Sequence, residues 1–154
     1  ALEGYAATAA LLRDVMGLEF IGEEANRYRF RAGVGDRAAD IDLIVQPEGG
    51  RGRMGISVVH HIAWRAASES EQEQWREVLG AAGFHTTPIL DRQYFRSIYF
   101  REPGGVIFEI ATDPPGFSVD EPRENLGETL KLPPWLEPRR SRIAARLPPL
   151  RVSR

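Results

Sequence analysis

Cysteine is missing from this chain altogether. That excludes disulfides, thiolate nucleophiles and sulfur-ligated metals, so any metal site must be built from imidazole and carboxylate. Long apolar runs are missing too: none approaches the roughly 18 residues a membrane-spanning helix needs. The N-terminal residues lack the basic-then-apolar pattern of a secretory signal, which makes the cytoplasm the expected location. Net charge is small, with 20 Lys and Arg against 22 Asp and Glu leaving −2. Bulk charge therefore gives no reason to expect nucleic acid or an anionic membrane as a partner. Histidine is scarce as well; of three in 154 residues, His60 and His61 are adjacent and His85 stands alone.

What is present suits a packed core. With 42% apolar and 27% charged residues in 154, the chain fits one globular domain, or two small modules sharing one interior. Apolar residues at helical spacing (Ala9, Leu12, Val15, Met16) predict a helix over Tyr5–Met16, stopped by Gly17. Three strand-like pieces follow: Leu18–Ile21, the alternating Arg27-Tyr28-Arg29-Phe30-Arg31, and Ile41–Val45. A Gly- and Arg-rich linker then runs from Gln46 to Gly55. Its Gly49-Gly50-Arg51-Gly52-Arg53 stretch lacks the Lys and Ser or Thr of a phosphate loop.

After the linker the pattern recurs. A strand is predicted over Ser57–Trp64 and a helix over Ser68–Ala82, with Trp75, Val78, Leu79 and Ala82 as its apolar face and Gly83 as its stop. Strand-like segments follow at Phe84–Asp91, Arg96–Arg101 and Val106–Ala111. Gly17 and Gly83 lie 66 residues apart, as do Leu43 and Glu109, whereas Phe30 and Phe100 lie 70 apart. The expected architecture is α+β: paired βαβββ modules forming a curled mixed sheet around a metal-site cavity. Residues 1–48 would form the first module, truncated at its N-terminus, 56–113 the second, and 114–154 a Pro- and Arg-rich tail. The first copy starts where the second has its opening strand, and the chain has no initiator Met, so a fragment of a longer protein is expected. The tail carries eight basic and three acidic residues from Pro122 onward and is expected to pack on its own domain through Trp135, Leu136, Ile143, Leu147 and Leu150.

The chemistry concentrates in two apolar runs, Val59-His60-His61-Ile62-Ala63-Trp64 and Val106-Ile107-Phe108-Glu109-Ile110-Ala111. A carboxylate between Phe108 and Ile110 on a core strand is costly unless something offsets its charge, and a divalent metal would. On an extended strand neighbouring side chains alternate, so only one of His60 and His61 faces a given cavity. His61 and Glu109 would then be two ligands of a two-His-one-carboxylate site of the kind that holds Fe(II) with positions left open. No third ligand stands out in the sequence.

These runs resemble a known family. Together with the run from Asp91 to Gly105 (DRQYFRSIYFREPGG), Phe108–Asp113, Pro115–Glu121 and Leu132–Pro138, they are similar to the C-terminal half of ring-cleaving extradiol dioxygenases of the vicinal oxygen chelate (glyoxalase/bleomycin resistance/dioxygenase) superfamily, the hydroquinone type above all. The resemblance implies Fe(II) bound by His61 and Glu109, with Mn(II), Zn(II) or Ni(II) as other candidates. It places His60 beside the substrate and Arg92 and Tyr99 as pocket residues. It further implies a third ligand from the N-terminal half of the same protein, a small aromatic substrate with dioxygen, and a possible homo-oligomer. Two other functions stay open: a glyoxalase-like divalent-metal isomerase, and a non-catalytic small-molecule binding module of the same fold.

Overall fold

Strict alternation over Arg27–Arg31 sends three arginines to one face of a strand and Tyr28 and Phe30 to the other. The computed structural model describes residues 2, 4–49, 55–56 and 58–148. In it this segment is the middle of a three-stranded antiparallel sheet of β1 (Glu19–Glu24), β2 (Arg27–Ala32) and β3 (Ala39–Ile44). Phe30 is 2% exposed. On the open face the β2–β3 register sets Arg29 opposite Asp42 and Arg31 opposite Asp40, each pair joined by two hydrogen bonds. Ahead of this sheet, α1 (Ala6–Ala10) runs into a π-helical turn over Leu11–Val15, closed by the Met16 N–H donating to the Leu11 carbonyl at 2.9 Å. Gly17 then takes φ 72°, a left-handed conformation that ends the helix without a Cβ clash.

The second half gives β4 (His61–Ala66), α2 (Glu69–Ala81), β5 (Leu90–Asp91), β6 (Arg96–Arg101) and β7 (Ile107–Thr112). Its sheet is ordered β4-β7-β6-β5, with β4 parallel to β7 and the other pairs antiparallel. The first sheet has a trace of the same plan, because Leu2 forms a parallel bridge to Val45 just past β3. The α+β arrangement thus takes the form of two sheets. A cleft of about 570 Å³ opens between them, with Leu18 and Ile41 on one side and Ile62, Trp64 and Trp75 on the other. His61 and Glu109 do not line it, so this cleft is not the metal-site cavity the sequence suggests.

Several boundaries differ from the sequence reading for physical reasons. Val58, Val59 and His60 are not strand, because β4 needs β7 as its partner and β7 begins only at Ile107. Ser57, residues 50–54 of the linker and Leu150 lie outside the described residues. Of Phe84–Asp91 only Leu90–Asp91 is strand; Pro88 has no N–H to offer, and the Thr87 N–H donates to the Tyr99 carbonyl at 2.9 Å.

On α2, Leu79 is fully buried but Val78 and Ala82 are exposed. Their place facing the core is taken by Gln72, also fully buried, which donates to the carbonyls of Arg96 at 2.8 Å and Ile110 at 2.7 Å. In the tail, Leu136 and Ile143 are half-buried, whereas Trp135 is 64% and Leu147 48% exposed and neither seals onto the domain. The last helix among the described residues of the tail is α3 (Arg140–Ala144). Among the described residues no helix is long and apolar enough to cross a membrane.

One apolar core joins both halves, from Leu12, Leu18 and Phe30 to Leu79, Phe100 and Phe108. A polar tie reinforces it: Glu102, 3% exposed in the turn after β6, accepts from the Thr8 hydroxyl of α1 at 2.6 Å and from the N–H groups of Gly104 and Val106.

Candidate metal centre

Phe108 and Ile110 are buried at 3% and 1% exposure, so the period of two turns Glu109 to the other face of β7. Register then assembles the site. Glu109 is opposite Tyr99 on β6 and Ala63 on β4. Ser97, two residues before Tyr99, and His61, two before Ala63, share that face.

Although it carries a carboxylate, Glu109 is only 3% exposed. Its Oε1 accepts two hydroxyl hydrogen bonds, from Tyr99 at 2.6 Å and from Ser97 at shorter range, and its Oε2 lies 2.7 Å from His61 Nε2. Burial, and then the bond to Glu109, push the Tyr99 phenol above its ordinary range, so it stays a donor at neutral pH. The Arg92 guanidinium sits over the Tyr99 ring, 5.4 Å from its centroid.

The donor atoms suit a divalent ion. Metal–donor bonds of about 2.1 Å at right angles separate two donors by about 3.0 Å, close to the 2.7 Å between His61 Nε2 and Glu109 Oε2. Both side chains are also held from behind. His60 Nδ1 is 2.9 Å from His61 Nδ1, a contact in which His61 donates once its Nε2 is left bare for a metal. Among the described residues no Arg or Lys pairs with Glu109, and no group of three His, Asp or Glu could hold a metal. A metal held here would need a further ligand.

Asp42 supplies the contrast. Phe30 and Phe100 hold like places on β2 and β6, and each faces the inward residue of the neighbouring strand, Ile41 or Phe108. The residue of the first sheet that corresponds to Glu109 is accordingly Asp42, not Leu43 as the 66-residue spacing suggests. Leu43 pairs with Tyr28 and is buried at 8% exposure on the core face. Asp42 is claimed by Arg29 and Arg27, whose hydrogen bonds lower its carboxyl to about 2. One carboxylate is thus neutralised by guanidinium, whereas the partners of the other among the described residues are two hydroxyls and an imidazole.

The structure brings together four of the five residues singled out in the sequence, His60, His61, Tyr99 and Glu109, and sets the fifth, Arg92, against Tyr99. His60 reaches its neighbour without a bulge because it precedes β4 and escapes the pleat's alternation. His85 is exposed on the segment between α2 and β5. Ser97 escaped the sequence reading; its only signal was the two-residue spacing to Tyr99.

Comparison with known proteins gives the family and the fold. Residues 3–110 match the family model of the Glyoxalase/Bleomycin resistance protein/Dioxygenase superfamily. MhqO of Bacillus subtilis (strain 168), named as a ring-cleaving dioxygenase, is 49% identical over 145 residues, covering 94% of this chain and 46% of that protein. A chlorohydroquinone/hydroquinone 1,2-dioxygenase of Sphingobium indicum is 34% identical over 133 residues, covering 83% of this chain and 40% of that protein. The crystal structure of a protein described as a dioxygenase from Bacillus subtilis subsp. subtilis str. 168 superposes with a TM-score of 0.90 at 47% identity, over 99% of this chain and 48% of that one. The chain thus spans less than half the length of each of these relatives.

Proposed function

The chain belongs to the Glyoxalase/Bleomycin resistance protein/Dioxygenase superfamily, and from that premise we propose that it is the C-terminal half of a non-haem Fe(II) extradiol-type dioxygenase that opens hydroquinone- or catechol-type rings with dioxygen. The observation that carries this reading is Glu109, a buried carboxylate with two neutral donors on one oxygen and the other oxygen 2.7 Å from an imidazole. Such a group is costly in the interior and becomes favourable when a cation completes it. The N-terminal half of the protein would supply the third ligand, in keeping with the partial span of the relatives.

Iron held by His61 and Glu109 would supply the positive charge that draws a ring hydroxyl into its anionic form and the redox couple for dioxygen. The chain's own residues do the rest. His60 fixes the His61 ring through the Nδ1 contact. Tyr99 stays protonated and spends its proton on Glu109, which orients that carboxylate. Arg92, exposed and permanently charged above Tyr99, is placed to offer its planar fork of donors to a phenolate or to oxyanion charge in the product.

The test is oxygen uptake by the iron-loaded intact protein with hydroquinone. Equimolar consumption of dioxygen and hydroquinone, with a ring-opened acid as product, is the expected result. Turnover of a hemithioacetal without oxygen uptake would instead identify an isomerase, and tight binding of an aromatic ligand by metal-free protein a binding module.

A further inference from the structure

Ser97 is fully buried, on the face of β6 that carries Tyr99. A serine hydroxyl has a single proton to donate, and this one goes to Glu109 Oε1. The Tyr99 hydroxyl donates to that same oxygen at 2.6 Å. Both side-chain donors therefore converge on Oε1, while Oε2 is left to His61. A glutamate side chain ends in a broad, roughly two-fold torsion, so nothing in its covalent structure prevents it from offering both oxygens to a cation. Donors on one oxygen alone remove that freedom.

We propose that Ser97 is a positioning residue for the metal carboxylate: with Tyr99 it occupies Oε1 and makes Glu109 a one-oxygen ligand through Oε2. The inference rests on the metal reading above and goes beyond it, because it names what sets the mode in which Glu109 binds. Tyr99 is half-buried and is also in contact with Arg92, whereas Ser97 is sealed in the sheet.

The test uses the intact protein with Mn(II) as probe. Free and bound ion are counted by electron paramagnetic resonance for the parent, Ser97→Ala and Ser97→Cys. Partners behind a ligand typically set metal affinity by about 10- to 100-fold, so Ser97→Ala is expected to weaken Mn(II) binding by about tenfold or more. Ser97→Cys fills the space with a weaker donor and is expected to fall between the other two. The bound-ion spectrum is expected to change as Glu109 moves toward two-oxygen binding. A purely packing role would leave Ser97→Cys like the parent in affinity and spectrum. Unchanged affinity and spectrum in both variants would overturn the role of Ser97 while leaving the metal reading intact. Failure of the parent to bind any divalent ion would overturn both. Unfolding in chelator, measured alongside, separates loss of fold from loss of ligation, and Ser97→Cys carries the comparison where the alanine variant does not fold.

Discussion

Replacing Glu109 with Gln should leave the metal-free protein about as stable as before and abolish its stabilisation by metal. The amide has the shape of the carboxylate it replaces. Its oxygen, in the place of Oε1, still accepts from Ser97 and Tyr99, and its NH2, in the place of Oε2, meets His61 Nε2. His61 can accept there if its proton sits on Nδ1, facing His60. Every hydrogen bond is thereby kept, and one charge is removed from a position that is 3% exposed. Replacing a buried charge without orphaning its partners is neutral or favourable, so in chelator Glu109→Gln should lie within about 1 kcal/mol of the parent or above it. With a divalent ion at about 100 times its dissociation constant the parent should gain about 2.7 kcal/mol, and the variant nothing. Urea unfolding of the intact protein in chelator and in excess Mn(II) measures all four values. A loss of about 3 kcal/mol or more in chelator, with the metal gain intact, would show that Glu109 holds the fold together and that its place beside His61 has another purpose.

Three further outcomes follow from the packing and charge arrangement. A Cβ at Gly104 would clash with Leu2 Cδ2 and lie 2.8 Å from Glu102 Oε1, so Gly104→Ala should cost about 1–3 kcal/mol in urea unfolding; parent-like stability would mean that Leu2 and the Glu102 turn are loosely packed. Asp42 falls from an ordinary 3.8 to about 2 in the folded state, chiefly through its hydrogen bond to Arg29. A lowered carboxyl adds stability above its unfolded value and loses it as acid protonates the folded state, so the parent should weaken between about pH 4 and 2 and Asp42→Asn more shallowly; identical acid limbs would count against the arginine ladder. Ser68 accepts from the Glu71 N–H at 3.1 Å while Glu71 accepts from the Ala67 N–H at 2.6 Å, a reciprocal cap on α2. Ser68→Ala should therefore cost about 1 kcal/mol, and no change in the unfolding midpoint would argue that the cap is redundant.

Periodicity made much of the fold legible. Both helices, their glycine stops and the strands at Arg27–Arg31 and Arg96–Arg101 follow from local spacing, because a helix or strand shows its buried face along its own length. Register is different. Nothing local fixes where β4 meets β7, so His60 looked like a strand residue pointing away from His61. Counting residues from one copy to the other set Leu43 against Glu109, a one-residue slip that exchanges the two faces of the sheet. The β2–β3 pairing restores Asp42 to that place, and with it the contrast between a carboxylate held by arginines and one held by two hydroxyls and an imidazole. Ser97 was hidden for a related reason: its role comes from β7 lying beside β6, and a lone serine in a strand gives no sign of that. The burial of Gln72 in place of Val78 likewise depends on the carbonyls of Arg96 and Ile110, which belong to other strands.

The most direct measurement is anomalous diffraction at the iron edge from crystals of the iron-loaded intact protein. One strong peak is expected within about 2.0–2.2 Å of both His61 Nε2 and Glu109 Oε2, with a third protein ligand from outside this chain and Glu109 Oε1 still held by Ser97. A peak elsewhere, or iron-loaded crystals in which His61 remains hydrogen-bonded directly to Glu109, would contradict the metal reading.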